Sequence, residues 1–137
     1  FLKNETFITA LKMTNKVDAG PIYFKRHLSL NGLAEEIYIR ASHIIFDMIK
    51  KIIKENYSLT PQKGLISYFK RRNPLESLVN NNVKDLDQLF DFIRMLDAED
   101  YPKAQINFQN FTIELSRPAL RNDCIEASVK IKCNKEK

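Results

Sequence analysis

Glycine is scarce in this sequence: Gly20, Gly32 and Gly64 are the only three, and no two are close together. A Gly-rich phosphate loop and a dinucleotide-binding fingerprint are thereby excluded, because both need neighbouring glycines to bring backbone N–H groups against a phosphate. Histidine and cysteine are as rare, with two of each. Cys124 and Cys133 lie late in the chain with no histidine near them, which fits neither zinc-ligand spacing nor a disulfide framework, so both read as free thiols of a reducing cytoplasm. His27 and His43 have no acidic or thiol partner at metal-ligand spacing, and no metal is expected. No apolar run reaches the roughly 18 residues that a membrane span requires, since the longest candidate is broken by Lys50 and Lys51. The opening Phe1-Leu2-Lys3-Asn4-Glu5-Thr6 has no apolar stretch or small-residue cleavage site after it, so no secretory signal is read there. Together these absences predict a soluble, cytoplasmic chain without a membrane partner. The first residue is not Met, which is the expectation for a cut or a fragment as much as for a natural start.

What is present is the composition of one soluble globular domain: 137 residues, 44% hydrophobic and 28% charged. That length allows one core to form without disulfide or metal staples. The net charge of +5 suits an anionic ligand, but the basic residues are scattered except at Lys50-Lys51, Lys70-Arg71-Arg72 and the lysine-rich tail.

Hydrophobic periodicity orders the elements. Phe7 to Met13 alternate as a strand; Thr14 to Gly20 collect turn residues before Pro21; Ile22 to Leu30 alternate again. Leu33, Ile37, Ala41, Ile44, Ile45, Met48 and Ile52 then recur at three- and four-residue steps, predicting a long amphipathic helix with acids early and lysines late. Pro61 and Gly64 break it, and Leu65 to Arg71 reads as a strand with Leu65 and Phe69 facing a core. Asp85 is the expected cap of a second helix carrying Leu86, Leu89, Phe90, Ile93 and Leu96. Three short strands follow, Ala104 to Phe108, Phe111 to Ser116 and Ile125 to Ile131, with Gln109-Asn110 suited to a tight hairpin. The predicted order is β-β-α-β-α-β-β-β, an α+β fold with mostly antiparallel strands, one long helix and one shorter one.

Few residues point to chemistry by type and position alone. No Ser or Cys nucleophile carries a signature. Tyr68 and Phe69 beside Lys70-Arg71-Arg72 have the aromatic-plus-basic character of a single-strand contact, yet alternation turns Phe69 inward and leaves the basic run at a strand end. Asp18 stands between Val17 and Ala19, with Gly20 permitting close backbone approach. Partial desolvation there would raise its pKa and fit it for proton transfer, whereas a plain turn aspartate would bond the backbone two residues on.

An ordered set of motifs resembles one family. Thr9-Ala10-Leu11-Lys12-Met13 followed by Asp18-Ala19-Gly20-Pro21-Ile22 is similar to the "T-hydrophobic-x-x-M … D-x-G-x-I" segment of the folate-dependent formyltransferases, which include methionyl-tRNA, sugar-nucleotide and glycinamide ribonucleotide formyltransferases. Phe69-Lys70-Arg71-Arg72-Asn73-Pro74 matches the family's aromatic-x-Arg-Arg-x-Pro segment, and Ile93-Arg94 through Tyr101-Pro102-Lys103-Ala104 matches its "I-R … Y-P-x-A" segment. The resemblance runs over about residues 5 to 117.

It implies transfer of a formyl group from 10-formyltetrahydrofolate to an amine by an Asn-His-Asp set. Asp18 takes the place of the catalytic Asp, which orients the His and helps deprotonate the attacking nitrogen while His and Asn stabilise the oxyanion. Lys16, Val17, Asp18 and Gly20 take places beside the folate, and Arg71 and Arg72 are the candidates for anion contacts with the acceptor. The family's Asn and His, in a segment N-x-H-x-S-L-L-P, precede the Asp and are not among these residues. The resemblance is therefore to the C-terminal half of such an enzyme, with residues 1–31 as the end of the catalytic domain and 32–137 as the long helix and C-terminal α+β region. The chain alone is expected not to turn over. The stretch Arg94 to Pro102 looks most like the shorter enzymes acting on amino sugars, usually nucleotide-linked, and the chain has too few remaining strands for the additional barrel of the tRNA enzymes. A fragment of a methionyl-tRNA formyltransferase is the alternative, with tRNA as partner. A non-catalytic binding or homodimerisation module pairing through its last strands is the reading from another class.

Overall fold

Residues 4–134 are described by a computed structural model, in the order β1 (Glu5–Leu11), β2 (Ile22–Ser29), α1 (Ala34–Lys54), a 3₁₀ turn (Pro74–Ser77), α2 (Leu86–Arg94), β3 (Ala104–Phe108), β4 (Phe111–Leu120) and β5 (Ile125–Cys133). Both sheets, β1-β2 and β3-β4-β5, are antiparallel, so the α+β expectation with a long and a shorter helix is met. The described residues pack as two units, one of residues 4–31 and 36–70 and the other of 32–35 and 71–134.

In the first unit, β1 and β2 pair from Glu5↔Ser29 to Leu11↔Ile22, with a register shift at Ala10/Leu11. The strand expected to reach Met13 ends at Leu11, and Met13 is exposed. Its ladder runs out there: after the Lys12 N–H donates to the Pro21 carbonyl (2.9 Å), the chain turns into the loop. Ile37 and Met48 are buried, as the three- and four-residue pattern of α1 predicts, and Leu28 of β2 is buried with them. Ile45 departs from it: together with Tyr38, Phe46, Ile49 and Ile53 it is exposed, because these residues continue the apolar stripe around the helix beyond its buried face. Arg40 ties the start of α1 down by donating to the Ser29 carbonyl (3.2 Å) and to that of Asn31.

Leu65 to Arg71 is not a strand. No ladder partner reaches it among the described residues, and without one the alternating side chains have no sheet face to share; Leu65 and Phe69 are both almost fully exposed instead of turned into a core.

The second unit is built around Ile93, Leu96 and Ala104, with Leu89, Phe92, Leu115 and Ile125 packed against them. Asp85 caps α2 as expected, its Oδ1 accepting from the Gln88 N–H at 2.7 Å. Gln109 and Asn110 form the two-residue β3–β4 connection, Gln109 with φ 50. β4 runs on past the expected Ser116 because a bulge between Ser116 and Ala119 accommodates Pro118.

Candidate functional site

The Asp18 loop joins β1 to β2 and is built by backbone constraints more than by side-chain packing. Gly20 is buried and passes so close to the Lys12 carbonyl that an added Cβ would lie 1.6 Å from that oxygen, and only glycine fits such an approach. Asp18 itself has φ 54, a left-handed conformation that aspartate tolerates better than most side chains. Thr14 Oγ1 donates to the Lys16 carbonyl at 3.0 Å.

A distant segment clamps this loop from outside. Thr60 pairs with Ile22 by two main-chain hydrogen bonds (2.8 and 3.0 Å), and Gln62 Nε2 donates to the carbonyls of both Asp18 and Gly20, each at 2.7 Å. Sequence reasoning missed Gln62; a lone glutamine after Pro61 has no local pattern that would distinguish it, and its partners are separated from it by α1.

Lys16, Val17, Asp18 and Gly20 line one cleft of about 390 Å³, together with the end of β1. The structure thus brings all four expected folate-side residues to one concavity. It corrects the reason given for Asp18: the carboxylate is exposed and not partly desolvated, because Val17 and Ala19 are exposed as well and no side chain closes over it. The plain turn-aspartate reading is not met either, since no described residue hydrogen-bonds its carboxylate.

Arg71 and Arg72 belong to the second unit, where they line a separate cleft of about 260 Å³ with Asn73, Ser77, Tyr101 and Pro102. Two of the sequence motifs therefore meet at one place. Arg72 is fixed there: its Nη2 donates to the Glu76 carbonyl at 2.9 Å and its guanidinium stacks over the Phe92 ring at 5.9 Å. Asn73 anchors the neighbouring 3₁₀ turn through a reciprocal cap with Leu75 and Glu76. Arg71 is exposed.

The second unit also holds two buried charged residues, Arg94 and Asp97, whose burial the sequence did not reveal. Arg94 donates to the Gly32 carbonyl (2.8 Å) and pairs with Asp91, while Asp97 accepts from Lys103 Nζ (2.9 Å) and from the Arg117 N–H. These bonds tie the Ile93-to-Ala104 segment to Gly32 and to β4. Among the described residues no group of His, Cys, Asp and Glu is arranged to hold a metal ion, His27 instead pairs with Glu5, and both cysteines are exposed free thiols. No helix of the described residues is long and apolar enough to cross a membrane.

Residues 74–132 match the family model described as "Methionyl-tRNA formyltransferase, C-terminal domain". Among solved structures, the chain is similar to the methionyl-tRNA formyltransferase from Clostridium thermocellum, at 41% identity over 95% of this chain and with a TM-score of 0.89. It spans 57% of that protein's length. The fold also resembles part of HypX from Aquifex aeolicus, including the form in complex with tetrahydrofolic acid, at 14% identity and a TM-score of 0.60 over 85% of this chain and 21% of HypX. No curated protein sequence matches the chain.

Proposed function

We propose a function from the premise that the chain belongs to the formyltransferase family, as a C-terminal portion of such a protein: the whole protein transfers a formyl group from 10-formyltetrahydrofolate to the amino group of methionyl-tRNA. The observation that carries this reading is the 41% identity over 95% of the chain to a methionyl-tRNA formyltransferase. The nucleotide-linked amino sugar expected from the sequence has no support in the comparisons, and it becomes an outcome of the test.

10-Formyltetrahydrofolate, when bound, supplies the formyl carbon. The cleft of about 390 Å³ suits one end of such a molecule, because the exposed apolar Val17 and the exposed Asp18 carboxylate border it together. A folate as formyl donor is in keeping with HypX, a protein known in complex with tetrahydrofolic acid, 21% of whose length shares this fold. Asp18 is held out from the backbone with its carboxylate unengaged, so it is free to accept a proton, directly or through water, or to orient an imidazole. That imidazole, and the Asn beside it, lie outside these residues by the family resemblance. Residues 1–31 are accordingly the end of the catalytic domain in this proposal, and the isolated chain is inactive. Arg71 and Arg72 serve as phosphate contacts for the acceptor, Arg72 being already oriented by Glu76 and Phe92.

The test is formylation of methionyl-tRNA by the full-length protein, with Asp18→Asn and a panel of nucleotide-linked amino sugars in parallel. Formylated methionyl-tRNA, and a loss of about 100-fold or more in kcat for the variant, is the expected result. Turnover of an amino sugar alone would replace the acceptor, and full activity in the variant would remove Asp18 from the chemistry.

A further inference from the structure

The cleft at Arg71 and Arg72 joins two kinds of chemistry on one small surface, and all its lining residues belong to one unit. Its volume of about 260 Å³ is below the roughly 300–1,000 Å³ of a site that encloses a whole small molecule, so it fits one part of a larger ligand. The two charged residues of the lining are both cations, and neither has a carboxylate partner among the described residues. Arg72 is held by the Glu76 carbonyl and the Phe92 ring, while the Glu76 carboxylate accepts from the Asn73 N–H (3.2 Å). Two guanidinium groups without a carboxylate call for an anion, and a phosphate matches their planar donors.

The rest of the lining suits a ring. Tyr101 stands next to Pro102 and is fixed at its main chain by donating to the Ala98 carbonyl (3.3 Å), with 39% of the residue exposed. An aromatic face beside cations is how a nucleobase is stacked next to a phosphate. Polar groups for the base edge are present as well. Ser77 is buried and its Oγ donates to the Pro102 carbonyl (3.4 Å), which leaves the hydroxyl oxygen to accept. The Asn73 Oδ1 accepts from the Leu75 N–H (3.0 Å), which leaves the amide nitrogen to donate. A bare phosphate would engage the arginines and leave the tyrosine, serine and asparagine idle.

We infer that this cleft takes one nucleotide unit of the acceptor, with its phosphate on Arg71 and Arg72 and its base stacked on Tyr101. The inference rests on the formyl-transfer reading and deepens it, since it names the part of the acceptor that the second unit grips. The shared chemistry is a nucleoside phosphate, supplied either by the single-stranded end of methionyl-tRNA or by a nucleotide-linked amine. That part does not react, so the grip adds binding and discrimination without entering the chemical step.

The test uses the full-length protein and ligand-observed nuclear magnetic resonance, with cytidine monophosphate, adenosine monophosphate and ribose 5-phosphate as probes. Both nucleotides should bind at least about fivefold more tightly than ribose 5-phosphate, which has no base to stack. Tyr101→Leu should remove that advantage and leave ribose 5-phosphate binding as it was, whereas Tyr101→Phe should keep it. Arg71 is exposed, so Arg71→Gln should fold, which circular dichroism checks, and should weaken all three probes about tenfold. Displacement of bound cytidine monophosphate by methionyl-tRNA or by a uridine-diphosphate-linked amino sugar then supports the inference and identifies the source of the nucleotide. Displacement by neither overturns it. Equal binding of nucleotides and ribose 5-phosphate, or Tyr101→Leu and Arg71→Gln without effect, overturns it even in a protein that formylates methionyl-tRNA. Nucleotide binding through Tyr101 in a protein that formylates neither acceptor upholds the cleft and removes the formyl-transfer reading instead.

Discussion

Gly20 and Lys12 approach so closely that the Lys12 carbonyl oxygen occupies the place of a side chain on Gly20. The obstruction is backbone, at the residue that follows β1, and it cannot swing aside as the end of a flexible side chain would. Gly20→Ala therefore has to separate the two ends of the Asp18 loop. The expected cost is about 1–3 kcal/mol of stability, read by urea unfolding, with loss of the main-chain bond from Lys12 to Pro21 seen by amide exchange. An unchanged midpoint would show that the loop repacks freely.

Gln62 holds the same loop by two hydrogen bonds to carbonyls, a geometry only a donor can satisfy. Gln62→Ala and Gln62→Glu both remove the donor, and each is expected to loosen the loop by about 1–2 kcal/mol. In the full-length protein this should appear as a fall in formyl-transfer kcat/KM with little change in global stability. Retention of activity in Gln62→Glu would mean the clamp does not position Asp18.

Asp97 is buried at 7% exposure and joins the end of α2 to two later segments, through Lys103 and the Arg117 N–H. Arg117 sits at φ 49 in the β4 bulge, so the carboxylate stabilises a backbone conformation that arginine rarely adopts. Asp97→Ala leaves the Lys103 ammonium and the bulge N–H without their acceptor. A loss of about 3 kcal/mol is expected in urea unfolding, and Lys103→Ala should cost less, because Lys103 is partly in solvent.

Tyr57 donates to the Glu55 carboxylate at 2.6 Å, and this hydrogen bond, with burial and the carboxylate's charge behind it, raises the phenol's pKa above 10.0, against a lowering from Arg26. A raised pKa means that the folded state holds this proton more tightly than the unfolded one. The stabilisation is fully present below the unfolded value and is lost as the pH rises through the folded one. Glu55→Gln is expected to move the Tyr57 titration to lower pH, measured as the ultraviolet difference between that variant with and without Tyr57→Phe. Because Glu55 is exposed and Tyr57 only half-buried, the shift should shrink in salt.

Where a structural feature depends on neighbours in sequence, the sequence by itself determined it. Asp85 caps α2 because its side chain reaches an N–H three residues on, Gln109-Asn110 turns the β3–β4 hairpin, and the three- and four-residue spacing of α1 places Ile37 and Met48 inside. The candidate loop was legible in the same way, since Asp18, Gly20 and Pro21 are turn chemistry between two alternating runs. Only the tertiary structure decided that Leu65 to Arg71 has no strand partner among the described residues despite its strand-like pattern, because a strand exists only where another strand accepts its hydrogen bonds. It alone decided that Asp97 and Arg94 are buried while Asp18 is exposed, and that Gln62 reaches across from beyond α1 to hold the loop. Burial of a charge is set by which distant donors and acceptors converge on it, and neither composition nor periodicity encodes that convergence.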